Sequence, residues 1–111
     1  MSNVAVSETD SPASMFAALA DDSRWQILVR LGVAPASASA LADELPITRQ
    51  AIAKHLRVLE EVGLVASERV GREIQYRAVG TTLNALARRI DSIAAGWDRR
   101  LSAIKRAAEA D

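Results

Sequence analysis

Two short helical segments joined by a tight turn, a stretch of period-two residues and one long amphipathic helix predict a mainly α-helical domain carrying a β-hairpin. Three observations carry that expectation. Ile52, Leu56 and Leu59 repeat at helical spacing between Thr48 and Gly63. Val65, Val70, Ile74, Tyr76 and Val79 then favour strands on either side of a Gly71 turn. From about Thr81 or Thr82 to about Ala108, Leu83, Leu86, Ile90, Ile93, Trp97, Leu101 and Ile104 recur three or four apart.

The elements follow in order from local signals. Residues 1–10 carry acids, no bases and no helical apolar period, so they read as a disordered tail ahead of one domain over 11–111. Ser11 and Pro12 signal a first helix that places Met15, Phe16 and Leu19 on neighbouring faces and stops near Ala20. Asp21 caps a second helix with Asp22 in its first turn, and Trp25, Leu28, Val29 and Leu31 supply its apolar face as far as Gly32. Pro35 confirms the break. Ser37 then caps a helix of barely two turns in which Leu41 and Leu45 form a buried i, i+4 pair, ended by Pro46. Thr48 opens the next helix, and Gly63 supplies its left-handed stop.

Composition removes most chemistry. The 111 residues include no Cys and one His, which excludes thiolate metal sites, disulfides and thiol nucleophiles and leaves too few imidazoles for a His-rich centre. No nucleophile–base pair, phosphate-cradling glycine run or paired-carboxylate motif stands out, so the chain reads as a non-enzyme without a cofactor. No basic n-region precedes an apolar stretch, and no run approaches the roughly 18 apolar residues of a membrane helix. A cytoplasmic protein without membrane contact is expected.

A short helix, a four-residue turn, a second helix and a hairpin make a winged helix-turn-helix. The major groove, about 12 Å wide, admits one α-helix, whose N-terminal residues reach base edges. Between Thr48 and Val58 the charged residues are Arg49, Lys54 and Arg57, with no acid until Glu60. Stepping by 100° per residue turns Ile52, Leu56 and Leu59 inward and leaves Arg49, Gln50, Ala53, Lys54 and Arg57 wholly or partly outward. Acids cluster elsewhere, at Asp43 with Glu44 and at Glu60 with Glu61, so the zero net charge conceals a segregated distribution. His55 beside the inward stripe reads as a structural histidine, and Tyr76 as core. In the hairpin, Arg69, Arg72 and Arg77 mix with Glu68 and Glu73, a mildly basic wing in which Arg72 beside Gly71 is the foremost phosphate-contact candidate.

The last helix, about 27 residues and roughly 40 Å long, exceeds what a domain of this size can cover. Its apolar face, through Leu86, Ile90, Ile93, Trp97, Leu101 and Ile104, calls for a second copy of the chain. Two-fold symmetry would set two recognition helices about one DNA turn apart and so predict a palindromic operator.

The order of elements and the wording of two motifs resemble the ArsR/SmtB family of winged-helix repressors over residues of about 15 to 105. FAALADDSRWQIL resembles the family's opening phrase, TRQAIAKHLRVLEEVGLV its recognition segment and GREIQYRAV its wing. The resemblance implies that Thr48, Arg49, Gln50, Ala53, Lys54 and Arg57 form the DNA-reading face. It also implies that the first helix, through Met15, Phe16 and Leu19, joins the last helix in the dimer. Metal-released members carry ligands that this chain lacks: Ser37, Ser39 and Ala42 replace the expected thiolates, and Asp91 is followed at +2 by Ile93 where a zinc pattern requires His. The tail IAAGWDRRLSAIK resembles a non-metal branch. A dimeric, sequence-specific repressor of promoter DNA is the expectation, constitutive or released by a small-molecule effector of unspecified chemistry. The alternative is a winged-helix dimer that engages another protein and touches DNA weakly.

Overall fold

The computed structural model describes residues 12–109; the tail expected at 1–10, and Ser11 as a cap, lie outside the described residues. The chain forms two compact units, one running through Gly80 and the other from Thr81. In the first, α1 (Pro12–Leu19) and α2 (Asp22–Leu31) precede a short strand β1 (Ala36–Ser37), then α3 (Ala38–Glu44), α4 (Arg49–Glu61), β2 (Val65–Val70) and β3 (Glu73–Ala78). The second consists of α5 (Gly80–Glu109), whose first residue is the boundary itself.

Each boundary has a local cause. Asp21 accepts the Arg24 N–H (3.0 Å), Ser37 the Ala40 N–H (3.1 Å) and Thr48 the Ala51 N–H (3.1 Å), so α2, α3 and α4 all begin on a side-chain cap. At the end of α4, Gly63 takes φ +80° and two bonds close the turn, Leu64 N–H to Leu59 C=O (3.0 Å) and Gly63 N–H to Glu60 C=O (3.1 Å). That is a Schellman closure, with Leu59 and Leu64 both fully buried. Gly71, at φ +64°, occupies the first position of a two-residue loop between Val70 and its partner Glu73, the place a type II′ hairpin reserves for glycine.

The sheet has three strands in the order β1-β3-β2, all antiparallel. The sequence pattern predicts only the hairpin. A two-residue strand shows no period-two alternation, and Ala36–Ser37 extends only because the free edge of β3 offers Tyr76 and Gln75 as partners. Ile27, Leu41, Ile52, Leu56, Leu59 and Leu64 form the fully buried centre of the first unit.

Three core assignments are corrected. Trp25 and Val29 do not belong to the buried face of α2; they are 54% and 57% exposed, while Ile27, Leu28 and Leu31 are buried. Both faces of this helix are apolar, so periodicity alone cannot choose between them; packing against α4 decides. Leu45 is the C-cap of α3 and only half-buried, leaving Leu41 as the buried member of that pair. Tyr76 is likewise half-buried, short of the core position expected for it.

In the second unit, α5 runs for 30 residues, roughly 45 Å. Leu86 is buried and Leu83 half-buried, whereas Ile90, Ile93, Trp97, Leu101 and Ile104 are exposed along one stripe. Arg100 lies over the Trp97 ring, 5.4 Å from its centroid.

Candidate nucleic-acid interface

The helix-turn-helix is α3, residues 45–48 and α4. Its first helix is tethered from behind: Arg30 at the end of α2 donates Nε to Glu44 Oε1 (2.6 Å) and Nη2 to Oε2 (3.1 Å), and Nη1 to the Ala34 carbonyl (2.8 Å). The guanidinium holds the Glu44 carboxyl below the usual carboxylate range. The far end of α4 is fixed by Ser67 of β2, whose hydroxyl donates to Glu60 Oε2 (2.8 Å). Burial of Ile52, Leu56 and Leu59 then determines which side of α4 faces away. Thr48, Arg49, Gln50, Ala53, Lys54 and Arg57 are all exposed on that side. Among the described residues, none of its three cations has an ion-pair partner; the one ion pair is Arg30–Glu44.

The structure brings the start of the recognition helix together with the hairpin tip. Arg49 and Arg72 line one cavity of about 300 Å³ with Ser37, Ser39, Glu73 and Tyr76. Two guanidiniums and three hydroxyl-bearing side chains converge there, a donor set that suits phosphate oxygens. Sequence reasoning set Tyr76 in the core and Ser39 only at a lost thiolate position; it tied neither to Arg49, because their approach depends on the β1–β3 pairing.

The other wing arginines do not share a surface. Cross-strand register places Arg69 opposite Ile74 and Arg77 opposite Ala66. Residues directly opposite share a face, so Arg69 lies on the face of Ser67 and Tyr76 while Arg77 lies on the reverse with Glu68 and Glu73. His55 is half-buried against α2, with Arg24 Nη1 3.4 Å from its Nδ1. Arg24 also donates Nε to the Ala18 carbonyl (2.6 Å). Arg24 escaped sequence reasoning because it falls on the inward face of α2 and acts through a residue 31 positions away. Among the described residues no three His, Cys, Asp or Glu side chains gather where they could hold a metal ion. Likewise, no described helix is long and apolar enough to cross a membrane.

A capped recognition helix, its basic exposed face and a hairpin wing define a winged helix-turn-helix transcriptional regulator. Comparison with known proteins agrees. A model described as a helix-turn-helix domain matches residues 19–68. The HTH-type transcriptional regulator Rv2034 of Mycobacterium tuberculosis is 36% identical over 92 residues, covering 83% of each chain. The solved ArsR-like transcriptional regulator from Rhodococcus sp. RHA1 is 60% identical, covers 86% of this chain and 90% of its own, and superimposes with a TM-score of 0.80. The regulator NmtR of Mycobacterium tuberculosis is 39% identical over 69 residues, 62% of this chain and 58% of its own. The chain belongs to the ArsR/SmtB family of transcriptional regulators.

Proposed function

We propose that the chain is a dimeric, sequence-specific repressor that occupies a palindromic promoter operator and does not respond to metal. The observation that carries this reading is the exposed face of α4 between Thr48 and Val58, which holds no acid, with Arg49, Lys54 and Arg57 lacking an ion-pair partner among the described residues and small Ala53 between them. In this reading Arg49 and Gln50 read base edges from the helix N-terminus, Lys54 and Arg57 flank them, and Thr48 and Ala53 allow close approach. Arg72 holds phosphate at the wing tip, and Arg69 and Arg77 add diffuse attraction from the two hairpin faces.

Residues 11–111 act as one DNA-binding domain, duplicated by pairing of α1 and α5. Met15 and Leu19 are half-buried and Phe16 is 40% exposed on α1, and the open stripe of α5 supplies the rest. Independence from metal is supported by donor chemistry: Ser37 already spends its hydroxyl on the α3 cap, and Ser39, Ala42 and Ile93 offer no soft or imidazole ligand.

Fluorescence anisotropy against the DNA upstream of the protein's own gene tests this. Saturable binding that weakens as salt rises is expected. Arg49→Ala and Gln50→Ala should each erode discrimination by about 1–3 kcal/mol per base read, whereas Arg72→Ala should weaken all sequences alike and lower the salt slope by about one. Binding indifferent to sequence would overturn the proposal, and a stoichiometric protein partner in place of an operator would replace it.

A further inference from the structure

We propose that the cleft between α2 and α4 binds a small organic anion with an apolar body, such as a medium-chain or aromatic carboxylate, and that its occupancy masks Lys54 and Arg57 and releases DNA. The release step rests on the repressor reading above; the binding step does not. The cleft measures about 390 Å³ and is lined by Arg24, Ala51, Lys54, His55, Arg57 and Val58. That volume lies within the range of small-molecule sites, roughly 300–1,000 Å³.

Its chemistry is one-sided. Among the described residues, three cations and an imidazole line the cleft, no carboxylate does, and none of the three cations is ion-paired. Asp21, which interacts electrostatically with Arg24 and His55, is engaged at the α2 cap. Arg24 is already immobilised by the Ala18 carbonyl, so an anion meeting it would not have to order a free side chain. Arg24 Nη1 lies 3.4 Å from His55 Nδ1, so the guanidinium and the imidazole stand side by side on the cleft wall. Half-buried Ala51 and Val58 supply apolar surface that a bare inorganic anion would not use. Lys54 and Arg57 belong both to this lining and to the exposed face of α4, so a seated ligand and a duplex compete for the same two charges.

Octanoate and benzoate are suitable probes, with octanol and sulfate as comparators that carry only the apolar body or only the charge. Methyl NMR of Ala51 and Val58 in the free full-length protein reads binding without DNA. Saturable shifts with octanoate or benzoate, much weaker with octanol and sulfate, are expected. Arg24→Gln should weaken binding about tenfold or more through loss of a charged hydrogen bond, while operator affinity stays within about twofold. Ala51→Leu keeps every charge and fills the cleft, so it should abolish the shifts even if the Arg24 variant is poorly folded. Absence of shifts with both carboxylates, equal binding of sulfate, or operator occupancy unchanged at saturating carboxylate would each overturn the proposal. A chain that failed to bind any operator would instead defeat the repressor reading and leave the methyl shifts to decide the site.

Discussion

Replacing Ile93 with alanine tests whether the stripe of α5 is a subunit interface. Ile93 is 60% exposed, beside Trp97 at 56% and Leu101 at 57%. Full burial of an isoleucine side chain stabilises by about 1.5–3 kcal/mol relative to leaving it wet, so burying the exposed part contributes ~1–2 kcal/mol per subunit. A two-fold interface uses each residue twice, giving ~2–4 kcal/mol for the dimer. That corresponds to a rise in dimer Kd of between about 30-fold and several hundred-fold. Sedimentation velocity over a dilution series measures it directly. Arg99→Ala, on the opposite side of the same helix, should leave the Kd where it was. An unchanged Kd for Ile93→Ala, or a chain that is monomeric throughout the micromolar range, would refute the reasoning and leave the stripe without an occupant.

Thr48→Asp should separate stability from binding. The carboxylate keeps a capping oxygen and gains about 0.3–1 kcal/mol from the helix dipole, so the melting temperature holds or rises while operator affinity falls; a gain in affinity would place the α4 N-terminus away from phosphate. Glu44→Gln should destabilise at neutral pH only. Because Arg30 holds the folded Glu44 carboxyl below its ordinary range, the bridge contributes stability above the unfolded carboxylate value and loses it as pH falls through the folded one. Melting curves of the parent and variant should therefore converge in acid and with added salt, and a gap that persists in strong acid would contradict the assignment.

The recognition helix was fully legible because three signals coincide on it: a Thr48 cap, a one-sided apolar stripe and the Gly63 stop. The hairpin was legible from Gly71 and its flanking β-branched residues. What stayed hidden was set by pairing across the fold. β1 exists only as a neighbour of β3, and without it nothing joins Ser39 and Tyr76 to Arg49 and Arg72. Arg24 sits at a position where helical stepping predicts an apolar side chain, and only the Ala18 carbonyl and His55 explain how a guanidinium is accommodated there. Trp25 and Val29 misled in the opposite sense, because a large apolar residue on a helix with two apolar faces carries no mark of which face is buried.

The charge pattern of α4 runs against the needs of α4 itself. A helix is stabilised by acids near its N-terminus and bases near its C-terminus, each by about 0.3–1 kcal/mol. α2 obeys, with Asp22 in its first turn and Arg30 in its last. α4 reverses the order: it starts at Arg49 with no acid in its first turn and ends at Glu60 and Glu61 with no base in its last. The helix tolerates this because the Thr48 cap, the Schellman closure, the Glu60–Ser67 bond and three buried side chains hold it in place. Internal stability therefore cannot be the reason for the arrangement, and an external partner with dense negative charge at the N-terminal end can. Glu60 lies about 16 Å along the axis from Arg49, beyond the roughly 8 Å Debye length of physiological salt. Its charge is therefore screened from whatever meets Arg49. A chain of zero net charge can thus present a locally cationic helix end, with the acids of that same helix out of electrostatic reach.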